Sequence, residues 1–181
     1  MQPMITYIAL LRGINVGGHN KLPMKELRAL LEDMSLKNVK TYIQSGNVVF
    51  ASDEVDADRL SAEIASAINA GYGFEPRVLL LTANDLAAAM SGNPFPEGEG
   101  EPKSLHLYFL SEEPAEPNLA ALQDVQNEDE RFKLQGTVFY LHAPSGIGRS
   151  KLAERVERVL GVPATARNWR SVSKIMALAN E

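Results

Sequence analysis

The sequence contains no cysteine. A disulfide framework, a thiol nucleophile and any thiolate-held zinc or iron–sulfur site are therefore excluded. Histidine is scarce: His19, His106 and His142 are the only three, and none has a second histidine or a glutamate at metal-ligand spacing. No metal site is expected. No stretch approaches the roughly 18 consecutive apolar residues of a membrane-spanning helix, so no membrane partner is expected. Met1–Leu11 is apolar, but it carries no basic leader or small-residue cleavage site and is interrupted by Arg12. It reads as a buried strand rather than a signal peptide, and a cytoplasmic protein is the expectation. Aromatics make up 7% of the residues, with one tryptophan. There is no Gly-x-Ser-x-Gly elbow, no P-loop and no Gly-x-Gly-x-x-Gly turn.

What is present is an ordinary globular composition: 181 residues, 45% hydrophobic and 23% charged. A chain of this size removes roughly 70% of its unfolded surface from water, so it needs no staple to hold a core. The net charge of −5 argues against general nucleic-acid binding. The charge is unevenly spread. Up to position 50, six basic residues face three acids; residues 51–148 hold five against seventeen; residues 149–180 hold seven against two. Basic ends that met in space would form one positive face on an acidic protein; basic ends that did not would be ordinary solvated surface.

Ile5–Leu11 is a continuous apolar run, as in a strand covered on both faces. A glycine- and asparagine-rich loop follows, and Pro23 opens a helix with Leu27, Leu30, Leu31 and Met34 on one stripe. Val39–Gln44 and Val48–Ala51 read as a hairpin around Ser45-Gly46-Asn47. Leu60, Ile64, Ala67 and Ile68 mark a second helix, capped by Asp56 or Asp58 and stopped at Gly71 and Gly73. Arg77–Leu81 is a fourth strand, followed by a short helix over Asn84–Met90. The order βαββαβ is that of a ferredoxin-like unit. Residues 91–103, rich in glycine, proline and glutamate, read as a linker. Beyond it come a strand at Ser104–Leu110, a short helix at Leu119–Val125 and a hairpin around Gly136. Amphipathic Ser150–Leu160 is next, with a short strand at Val162–Ala166 and a last helix over Arg170–Ala179. The resulting fold class is α+β, with two ferredoxin-like subdomains spanning 1–92 and 104–181 around a linker at 93–103. The likeness of Tyr42–Phe50 to Phe132–Phe139 points to internal duplication. One larger mixed sheet is the alternative.

Four loops could carry chemistry. The first holds Arg12, Gly13, Asn15, Gly17, Gly18, Asn20 and Lys21 between the first strand and first helix. Its glycines would let a phosphate approach the backbone and its cations would neutralise it; a tight turn is the plain alternative. The second, Gln44, Ser45, Gly46 and Asn47, is explained as a hairpin turn, although its amides could read a ligand. The third ends in Gly148, Arg149, Ser150 and Lys151 before a helix: either an anion nest or a helix cap. In the fourth, Arg167, Asn168 and Trp169 either stack a ring or anchor the last helix. Tyr140 and His142 share a strand face with Val138, a possible stacking surface, but the sequence lacks the aromatic pattern of an RNA-recognition motif.

Tyr7–Gly18, Tyr42–Val48 and Arg167-Asn168-Trp169 together resemble a bacterial family known only as domain of unknown function 1697. The resemblance covers nearly the whole chain. It implies two similar α+β subdomains related to the ferredoxin-like unit. It implies no activity, so no catalytic residue is carried over and the motif positions are candidates for a shared site. The functional expectation is a binder of a phosphate-bearing ligand: a nucleotide, a sugar phosphate or a nucleic-acid end. A transferase or hydrolase using His19 as base, and a protein-interaction module without a small ligand, are the alternatives. No cofactor or oligomeric state is indicated.

Overall fold

The computed structural model describes residues 2–181. The chain forms two compact units, one built from residues up to Ala88 together with Lys174–Glu181, the other from Ala89–Ser173.

In the first unit, β1 (Ile5–Arg12), α1 (Met24–Asp33), β2 (Lys37–Tyr42), β3 (Asn47–Ser52), α2 (Ala57–Tyr72) and β4 (Arg77–Thr82) follow in turn. The strands make one antiparallel sheet in the order β2-β3-β1-β4. Strand β1 is central, and Tyr7–Leu11 are fully buried, as the unbroken apolar run requires. Tyr7, Ala9 and Leu11 point to the same face as Val48 and Phe50, and this face packs against Leu27 and Leu31 of α1 and Leu60, Ile64 and Ile68 of α2. Each of the valine, leucine, isoleucine and phenylalanine side chains among them gains about 1.5–3 kcal/mol by leaving water. Helix α2 is stopped at both ends by local chemistry: the Asp56 carboxylate accepts from Arg59 N at 3.1 Å, and Gly73 turns left-handed. Pro23 occupies the N-cap of α1 rather than its first turn, with an extended ψ of 139°. Edge strand β2 is bulged between Lys37 and Lys40, which with its lysines discourages pairing with another chain.

The second unit repeats the plan. Strand β5 (Leu105–Leu110) is followed by α4 (Leu119–Gln123), β6 (Arg131–Gln135), β7 (Val138–His142), α5 (Lys151–Leu160) and β8 (Ala164–Asn168). The sheet order is β6-β7-β5-β8, the same as in the first unit. Two four-stranded antiparallel sheets, each with its helices, are thus two ferredoxin-like halves of an α+β protein. Tyr108, Leu110, Phe139 and Leu141 of this sheet meet Leu152, Val156 and Leu160 of α5. Two further helices, α3 (Ala83–Ser91) and α6 (Trp169–Ala179), follow the last strand of each unit. Segment 92–104 contains a 3₁₀ turn at Pro96–Gly100, and Asn93 Nδ2 donates to Glu99 Oε2 at 2.8 Å. Gly98 lies against the His142 ring, where a Cβ would come within 3.1 Å.

Candidate functional site

In the first unit the two sequence-predicted loops meet. Gly13, Asn15, Gly17, Gly18 and Asn20 all have positive φ, so the segment after β1 is a string of left-handed corners that only glycine and asparagine occupy cheaply. The asparagines also hold the loop together. Asn15 Oδ1 accepts from Leu22 N at 2.7 Å, while its Nδ2 donates to Leu22 O and, across to the hairpin, to Gln44 O at 2.8 Å. Asn20 Nδ2 donates to Gly13 O at 2.9 Å. In the hairpin, buried Asn47 donates to Tyr42 O and to Ser45 Oγ, both at 3.0 Å. Gly46 O accepts from Leu11 N at 2.8 Å, fastening the turn to the end of β1. Gln44 and Ser45 are exposed, as are Arg12, His19 and Lys21. Ile43 beside them takes φ 48°, a costly conformation for a β-branched residue.

The register of the sheet adds a residue that the sequence did not flag. Arg12, the last residue of β1, stands directly opposite Arg77, the first of β4. Arg12, Gly13 and Arg77 line a pocket of about 680 Å³ with Glu75 and Pro76. Pairing across strands is a tertiary fact. Its only trace in the sequence is a basic residue at the boundary of each strand.

In the second unit, Ser150 is wholly buried and caps α5, its Oγ accepting from Ala153 N at 3.0 Å. Gly148, Arg149 and Lys151 around it are exposed. Asn168 Oδ1 accepts from Ser171 N at 2.9 Å and so caps α6. Trp169 is buried. Arg167 is half-buried, its Nη1 donating to Ala166 O, and desolvation lowers the pKa of its guanidinium to about 10. Neighbours of these predicted residues share a cavity: Gly146 and Arg170 line one pocket of about 540 Å³.

The other aromatic candidates are enclosed. Tyr140 is 2% exposed and donates from its hydroxyl to Ala89 O at 2.6 Å. His142 is 7% exposed, lies against Phe95 and has Nδ1 3.8 Å from Glu97 Oε1. Neither offers a face to a base. Burial lowers the pKa of His106, although its hydrogen bond to the Lys103 backbone opposes this; its Nε2 has no hydrogen-bond partner. Burial raises the pKa of the Tyr108 hydroxyl, with Glu130 adding to the shift. Among the described residues, no three histidine, aspartate or glutamate side chains are grouped to hold a metal, and no helix is long and apolar enough to cross a membrane.

No curated protein matches the chain. Among solved structures, the conserved bacterial protein SP0830 of Streptococcus pneumoniae is similar at 26% identity and a TM-score of 0.65, with 98% of this chain and 99% of that one covered. Residues 4–140 match the family described as protein of unknown function (DUF1697), and to that family this chain belongs.

Proposed function

We propose that the protein binds a phosphate-bearing ligand at the Arg12–Gly13–Arg77 corner of its first unit. One observation carries this reading: two arginines face each other across β1 and β4 and line the same pocket. Guanidinium forks suit phosphate oxygens, and Gly13, at φ 83°, carries no side chain to bar their approach. Glu75 contributes a carboxylate to the same lining, so the pocket retains a formal charge of +1. The asparagine struts hold the loop in shape before any ligand arrives, which lowers the ordering cost of binding. A nucleotide, a sugar phosphate and a nucleic-acid end all carry the required group.

Thermal unfolding with inorganic phosphate, mononucleotides and sugar phosphates tests the reading. A ligand at a hundred times its Kd stabilises by about 2.7 kcal/mol, and each kcal/mol raises the midpoint by about 2–4 °C in a chain of this length. Arg12→Ala and Arg77→Ala should each abolish the shift. Absence of a shift with every anion, or a shift that survives both substitutions, would refute the proposal. A nucleic-acid end would be marked by affinity that falls steeply with salt. His19, exposed in the same loop, is the base a transferase or hydrolase would use; turnover that persists in His19→Ala would remove that role.

A further inference from the structure

We propose a second binding site, in the Ala89–Ser173 unit, for a small organic anion with a flat apolar body. The site is the cavity of about 540 Å³ that Gly146 and Arg170 line. Its size falls within the roughly 300–1,000 Å³ of small-molecule pockets. Pro102, Ala143 and Pro144 supply an apolar wall. Lys103, Arg170 and Glu101 also line it, with formal charges that sum to +1. An apolar wall under a net positive lining selects a ligand that buries a ring and leaves a carboxylate, sulfonate or phosphate at the cations.

The walls are set before binding. Ser104 N donates to Glu101 O at 2.8 Å, and Ser104 Oγ donates to the same carbonyl at 2.6 Å. Ala143 N donates to Ser104 O at 2.8 Å, tying this turn to the end of β7. Gly146 N closes the opposite turn on Ala143 O at 2.9 Å, with Gly146 at φ 98°. The Ser145 hydroxyl donates to the Asp129 carboxylate and anchors that turn. Arg170 stands in the first turn of α6, whose start is fixed by the Asn168 cap. Two turns far apart in the sequence are therefore pinned to one sheet end, and a ligand meets a hollow already formed.

Anilinonaphthalene sulfonate has the required chemistry, a fused apolar ring system with one anionic group, and its fluorescence reports transfer out of water. Titrated into the full chain, it should saturate at one equivalent. Lys103→Glu and Arg170→Glu should each weaken it about fivefold or more, the scale of a partly exposed charge contact made repulsive. Both positions are exposed, and far-UV circular dichroism confirms that the variants are folded. Arg77→Ala should leave this dye's affinity unchanged while removing the phosphate response of the first unit, so the two proposals stand or fall separately. Non-saturable fluorescence, or affinity unaltered in both charge-reversed variants, would overturn the assignment.

Discussion

Gly46 shows how one residue joins two segments distant in sequence. Its φ of 91° excludes most side chains, and a Cβ there would stand 2.8 Å from Leu11 Cβ and from Ile14 Cδ1. Gly46→Ala should therefore cost about 2–4 kcal/mol, combining backbone strain with overpacking against two buried side chains. Urea unfolding would measure this as a lowered midpoint at unchanged slope, and a loss below about 1 kcal/mol would show that the turn relaxes freely. The turn was legible in Ser45-Gly46-Asn47, but the close approach was not, because it depends on where Leu11 and Ile14 end up. Asn15 teaches the complementary lesson. Its residue type suggested ligand contact, whereas its amide is occupied by Leu22 and Gln44. Asparagine marks both ligand loops and left-handed corners, so composition alone leaves the role undecided.

Helix ends were readable because capping is local chemistry. Ser150 before Lys151–Leu160 and Gly161 after it are start and stop signals within the helix's own turns. Ser150→Ala should destabilise by about 1 kcal/mol through loss of the bond to Ala153 N. Ser150→Asp keeps an acceptor for that N–H but places a carboxylate at a wholly buried position, so it should cost at least as much as alanine. A loss smaller than alanine's would show that the carboxylate stays hydrated at the cap. Strand limits were less legible. Strand β2 begins at Lys37, two residues before its apolar signal at Val39, since exposed edge positions need no hydrophobic residue. Strand β8 runs on to Asn168 because pairing with His106 extends it past the apolar residues.

Across the whole molecule, acidification should act through charge and through one buried histidine. The net charge of −5 at pH 7 falls towards zero near the isoelectric point of about 5.3, where solubility should be lowest. Stability should fall as well. His106 has a lowered pKa in the folded state, so below the unfolded value of 6.5 the unfolded chain binds the extra proton. Its contribution is fully present above pH 6.5 and is lost as pH drops from there towards the folded value, at no more than about 1.4 kcal/mol per pH unit. Urea midpoints at pH 7.5 and pH 5.5 should differ less in His106→Gln than in the unaltered chain. An unchanged difference would assign the acid sensitivity to other groups.

The amino-acid sequence by itself determined which segments are helix and strand, their βαββαβ order and the left-handed corners, because periodicity, caps and glycine conformations act over a few residues. It also marked the loops in which cations gather. Tertiary structure decided which of those residues share a surface. Strand pairing set Arg77 against Arg12, and a hydrogen-bonded turn together with the first turn of α6 brought Lys103 and Arg170 to one hollow. Burial enclosed Tyr140, His142 and Trp169. These are relations between residues far apart along the chain. They arise only when the sheets and their helices close over a core, and no local pattern encodes them.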